Sequence, residues 1–214
     1  MNREIKALAL SVAFASSLCG ESSSKITVFV YNYAVVSGEA LARTEAEASR
    51  IYERAGIEIE WLECPLGPKA AEQFPACQVP PGPARLALRI LSHSMAERLL
   101  HGEDSFGFAL YPEDGSFATV ANVFAHDAGQ LASRRGINYA VILGHLLAHE
   151  MGHLLLGARS HSNIGIMRAA WHVKELETIA QGRLMFTPAE SETLRRNIRA
   201  RVARERDLRG SFPS

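Results

Sequence analysis

An excess of either charge is absent from this chain: 23 basic residues are matched by 23 acidic ones over 214 positions. No global field therefore steers the molecule toward nucleic acid or an anionic membrane, and nucleic acid is not expected among its partners. The local exception is the basic stretch Arg195 to Arg209. It alternates with Glu205, Asp207 and apolar residues at helical spacing and reads as a solvated helix face. Internal repeats and low-complexity tracts are absent too, which excludes an array or solenoid. Cysteine is scarce, at Cys19, Cys64 and Cys77 only.

What is present begins with an export signal. Arg3 and Lys6 precede the apolar run Ala7 to Leu18, with small residues around Ala15 to Ser17, the layout of a secretory signal peptide over residues 1–20. That run of 12 residues is too short to span a bilayer, so a secreted or periplasmic protein with no transmembrane segment in its mature chain is expected. A lipid anchor on Cys19 is the alternative, which Leu18 just before it fits poorly. Either treatment of Cys19 leaves Cys64 and Cys77 as an even pair in an oxidising compartment, and a disulfide between them is expected. The remaining length suits one domain, over 25–208, acting as a monomer. No propeptide is expected, because the first strand follows the leader almost at once.

Ile26 to Val36, rich in Val, Tyr and Ile, reads as a buried strand. Gly38 to Ala55 carries Leu41, Ala48, Ile51 and Tyr52 at helical spacing and stops at Gly56, and Ile57 to Leu62 reads as a second strand, parallel to the first through the crossover helix. Cys64 to Pro83 holds six of the nine prolines and is expected to be an irregular loop. Strands follow at Arg85 to Leu91, Phe106 to Tyr111 and Phe117 to Phe124, the last two as a hairpin, so the sheet is mixed. Ile137 to Leu156 is apolar nearly all round. A membrane span competes on length, but three histidines and a carboxylate would be costly in lipid, and a helix buried beneath the sheet is preferred. Pro188 to Arg206, opened by Thr187 as N-cap, closes the chain as an amphipathic helix.

The chemistry sits at the end of the buried helix, in His149-Glu150-Met151-Gly152-His153. Residues four apart share a helix face with Cβ atoms about 5 to 6 Å apart, so two imidazoles can converge on one Zn2+. Glu150 then points where a metal-activated water would sit and can act as general base in peptide-bond hydrolysis. Downstream lie Gly157, placed to end the helix in a left-handed turn, then His161 and Met167. His145 reads as a core histidine, and His172 as a surface one. His93, His101 and His126 have no partner at metal spacing.

With these residues the chain resembles the metzincin clan of zinc peptidases, and the His161-Ser162 pair is similar to matrixins. The resemblance implies an α/β (α+β) fold: a mixed β-sheet over an active-site helix, with a small C-terminal helical subdomain. It also implies His149, His153 and His161 as zinc ligands, Glu150 as base, Met167 in a turn beneath the metal, and a peptide or protein substrate lying extended along Phe106 to Tyr111. One departure is visible. The clan pattern H-E-x-x-H-x-x-G-x-x-H is here longer by one residue before the glycine and one after it, leaving seven residues between His153 and His161. Two other readings remain open: a gluzincin-type site with Glu175 or Glu177 as third ligand, and a zinc-stabilised binding module that hydrolyses nothing.

Overall fold

A computed structural model describes residues 24–99 and 106–210; the leader with Cys19, and His101, lie outside them. Strand β1 is Ser24–Asn32, with Ile26, Val28 and Val30 buried on one face. It stops short of the expected Val36 because the Asn32 side chain folds back on that residue. Nδ2–H donates to the Val36 carbonyl at 2.8 Å, and Oδ1 accepts from the Val36 N–H at 3.0 Å. Helix α1, Gly38–Arg54, is capped by Ser37 and buries Leu41, Ala48, Ile51 and Tyr52. It leads to β2, Ile57–Glu63, which pairs parallel to β1.

The proline-rich stretch is not wholly irregular, as expected from its sequence, but contains two single turns, α2 (Pro68–Ala71) and α3 (Pro75–Gln78). Pro75 stands at the start of α3, where a missing N–H leaves no helical bond unmade. Cys64 and Cys77 form a disulfide with their Cα atoms 5.7 Å apart.

Then come β3 (Arg85–Leu91), α4 (His93–Leu99), β4 (Gly107–Leu110), β5 (Val120–Phe124) and α5 (Ala125–Arg135). The two helices were not expected. Strand β5 is shorter than the expected Phe117 to Phe124, because the Ala118 carbonyl and the Phe117 ring are taken by Arg201 instead of a neighbouring strand. The sheet order is β2-β1-β3-β5-β4, with β4 alone antiparallel and at one edge.

Helix α6, Tyr139–Leu156, starts two residues later than expected, where Asn138 Oδ1 accepts the Ala140 N–H at 2.9 Å. It is long and apolar enough to pass for a membrane span, yet 83% of it is buried inside the fold. Gly144 allows its close crossing with α1: a Cβ there would stand 2.7 Å from Glu47 Cβ and 2.9 Å from the Thr44 carbonyl. After α7, Val173–Ala180, comes α8, Pro188–Gly210, opened by a capping box in which Thr187 and Glu190 bond each other's backbone N–H. One continuous core joins the alternate sheet residues Val28, Leu88, Ile90, Ala121 and Val123 to α1, α6, α7 and α8, while Leu91, Ala96 and Phe124 form a smaller cluster with α4. The basic run in α8 is not simply a solvated face: Arg195 donates to the Ala55 carbonyl, and Arg201 is 4% exposed.

Candidate metal centre and its cleft

Helical spacing sets His149 and His153 on one face of α6, their Nε2 atoms 3.1 Å apart. His149 Nδ1 lies 2.7 Å from the Ile166 carbonyl, an atom that can only accept. Nδ1 is therefore the N–H, and Nε2 presents a lone pair toward His153. His153 Nδ1 meets Ser160 Oγ at 2.9 Å. His161, exposed, brings its ring centroid within 4.6 Å of His153 and 5.6 Å of His149. One ring nitrogen from each of the three histidines can be chosen so that all lie within 4.8 Å of one another, the one such group among the described residues. Three ligands around a zinc at about 2.0 to 2.1 Å would stand roughly 3.3 Å apart. The donor set thus fits a zinc ion with modest closure. Burial pulls His149 and His153 down to about 4, so both rings are neutral at neutral pH, the form in which an imidazole can bind a metal.

The extra residues before His161 are accommodated by Gly157. It does not take the expected left-handed helical turn but φ 110°, ψ 169°, an extended region essentially restricted to glycine. Ala158-Arg159-Ser160 then lead from Gly157 to His161, which joins the cluster despite the longer spacing.

Glu150 is buried, with Oε2 lacking any hydrogen-bond partner, and burial raises its carboxyl to about 8. It faces Gly107 of β4, where a Cβ would come within 2.5 Å of the Asn122 carbonyl and 2.8 Å of Glu150 Cγ. Only a glycine lets the edge strand approach this closely. Met167 is fully buried beneath α6, and Gly152 makes room for it: a Cβ there would stand 2.5 Å from the sulfur. Neither Glu175 nor Glu177 joins the cluster. Glu175 pairs with Arg168 at 2.7 Å and accepts the His172 N–H at 3.0 Å, and Glu177 is exposed. His145 is in the core, with Nδ1 2.8 Å from the Val141 carbonyl. His93 and His126, which have no partner at metal spacing in the sequence, bring their ring centroids within 4.1 Å of each other, outside the cluster's lining.

The cluster opens into a cleft of about 520 Å³ walled by Phe106 to Ala109, Tyr111 and Trp171. Sequence reasoning placed Tyr111 in a strand but missed its tether: the hydroxyl donates to the His153 carbonyl at 2.9 Å. Burial first, then the Glu150 charge, pushes that phenol up to about 12.

No family model matches this chain, and no curated protein matches it. Among solved structures it superposes on a zinc-dependent peptidase from Methanocorpusculum labreanum with a TM-score of 0.51 and 15% identity, over 78% of this chain and 99% of that one. Archaemetzincin from Methanopyrus kandleri gives a TM-score of 0.47 and 16% identity, over 83% of this chain and 98% of that one. The first likeness is one of fold alone, a mixed sheet with helices.

Proposed function

We propose that this chain is a zinc-dependent, metzincin-like endopeptidase. The observation that carries the reading is the convergence of His149, His153 and His161 beside a buried, unpartnered Glu150, in a cleft bordered by a sheet edge. The fold it shares with the Methanocorpusculum labreanum peptidase supports it. Zinc held there would supply a Lewis acid that polarises the scissile carbonyl and eases deprotonation of water. Glu150 takes that proton at its free oxygen and delivers it to the leaving amine. Burial makes this carboxylate a stronger base than an exposed one, and a cation held at the histidines would lower its pKa. An extended peptide adds to the outer edge of β4, whose backbone fixes its register, while Met167 floors the cluster. Export of the mature domain goes with this reading, and the Cys64–Cys77 disulfide supports it.

The test is metal analysis together with peptide turnover. The parent protein should carry about one zinc per chain. Glu150→Gln should keep that metal while losing hydrolysis by about 100-fold or more. His161→Ala should weaken zinc binding by orders of magnitude, whereas Glu175→Ala and Glu177→Ala should not. Full turnover by Glu150→Gln would end the assignment of the base. Zinc retained in His161→Ala but lost in a glutamate variant would move the third ligand to that carboxylate.

A further inference from the structure

Arg201 on α8 is 4% exposed, and its guanidinium meets only neutral groups. Nη1 donates to the Pro83 carbonyl at 3.0 Å and to the Ala118 carbonyl at 3.1 Å, Nη2 donates to the Leu154 carbonyl, and the Phe117 ring lies 4.6 Å away. Among the described residues no carboxylate pairs with it. Glu205, one turn along the helix, is engaged by Arg85 and Arg209. Burial without a counter-charge brings the guanidinium down to about 10. Buried arginines are ordinarily paired with an anion.

Arg201 is one of the residues lining a second cavity, of about 310 Å³, together with Ser116, Phe117, Gly157 and Asn197. The cavity abuts the metal cleft, because Tyr111 and Ala158 line both. Tyr111 is the partition, with its hydroxyl on the His153 carbonyl. An extended peptide advances about 3.3 Å per residue, so a residue near the bond lying over the cluster reaches the cavity mouth. A purely structural clamp accounts for the three carbonyl bonds, which tie α8 to the end of α6 and to the segments just before β3 and β5. It leaves a buried positive charge without a carboxylate partner among the described residues, on a residue that lines the cavity next to the histidine cluster.

We propose that this cavity is a substrate subsite that takes a carboxylate, from an Asp or Glu side chain or from a free C-terminus close to the scissile bond. It rests on the peptidase reading for its substrate, but the binding it describes needs no turnover. Zinc-loaded Glu150→Gln protein is titrated with short blocked peptides carrying a single Asp or Glu, or the isosteric Asn or Gln, at successive positions. A further arm carries a free C-terminal acid, and binding is read by calorimetry. The acidic peptide should bind about tenfold tighter than its amide twin at one register, or the free-acid arm should do so, and the preference should weaken with salt. Ala200→Glu places a carboxylate on the cavity wall from an exposed helical position, leaving Arg201's backbone bonds in place. It should bring the acidic peptide's affinity down to that of the amide. Equal binding of acid and amide, a preference that survives Ala200→Glu, or no binding of any peptide at millimolar concentration would each overturn the proposal. Failure of the peptidase reading shows separately, as absent turnover by the zinc-loaded parent while the acidic preference persists.

Discussion

Glu45 on α1 is 9% exposed, and one of its carboxylate oxygens has no hydrogen-bond partner. Burial first, then the nearby Glu63 charge, raises its pKa to about 7. Between the ordinary carboxylate pKa and that value, the folded chain holds a proton the unfolded chain has released, so stability falls as pH rises through this window. Glu45→Gln removes the ionisation. It should therefore stabilise the protein at pH 8 by on the order of 1 to 3 kcal/mol and change little at pH 4, as urea unfolding at the two pH values would show. Gly107 is the opposite case, a position where adding one methyl does harm. Gly107→Ala forces β4 away from Asn122 and Glu150, and should cost about 1 to 3 kcal/mol and lower kcat with zinc content unchanged. A variant with normal kcat would mean that the edge strand's close approach is not needed for positioning Glu150.

Among the elements, those with a period were legible in the sequence. The i, i+4 histidines and the apolar run placed α6 and two of its site residues, and the run rich in Val, Tyr and Ile placed β1. Helix α5 escaped because its buried face, Ala125, Ala128, Leu131 and Ala132, is made largely of alanines whose hydrophobic signal is weak. Contacts between distant residues have no periodicity at all: Tyr111 and His153 are 42 residues apart, and their hydrogen bond exists only because β4 lies along α6. The exit at Gly157 was half legible. A glycine marks a helix end, but its composition does not distinguish a left-handed turn from the extended geometry found here, and that difference decides whether the longer spacing reaches His161. Gly157→Ala meets open space around its new Cβ, so its penalty is purely conformational, about 1 to 3 kcal/mol. It should also weaken zinc binding, measured by competition with a chelator. An unchanged affinity would show that His161 reaches the cluster by some other backbone route.

At the scale of the whole molecule, the disulfide closes the stretch after β2 across a sequence separation of 13. Cys64→Ser with Cys77→Ser should lose about 2 to 4 kcal/mol of stability, largely through a freer unfolded chain, while kcat stays unchanged because the pair lies outside the cleft's lining. Denaturant unfolding with and without reductant checks the first part, and peptide turnover the second.

Helix α6 bears on the proposed export of this chain, at a stage before there is any fold to bury it. Threaded unfolded through a translocation channel, Tyr139–Leu156 is an apolar segment of spanning length, and a channel that opens sideways offers such segments to the lipid. A charged residue at the centre of a span disfavours that step by about 2.5 to 3.5 kcal/mol. His145, His149, Glu150 and His153 are the residues that make this stretch a poor stop-transfer signal. On that proposal, the groups assigned to chemistry in the finished protein would also let the chain pass through the membrane. Glu150→Leu combined with His149→Leu should strand the chain in the bilayer, recovered in the membrane fraction and resistant to carbonate extraction, whereas Glu150→Gln should still be exported; equal release of both variants would show that the channel ignores these side chains.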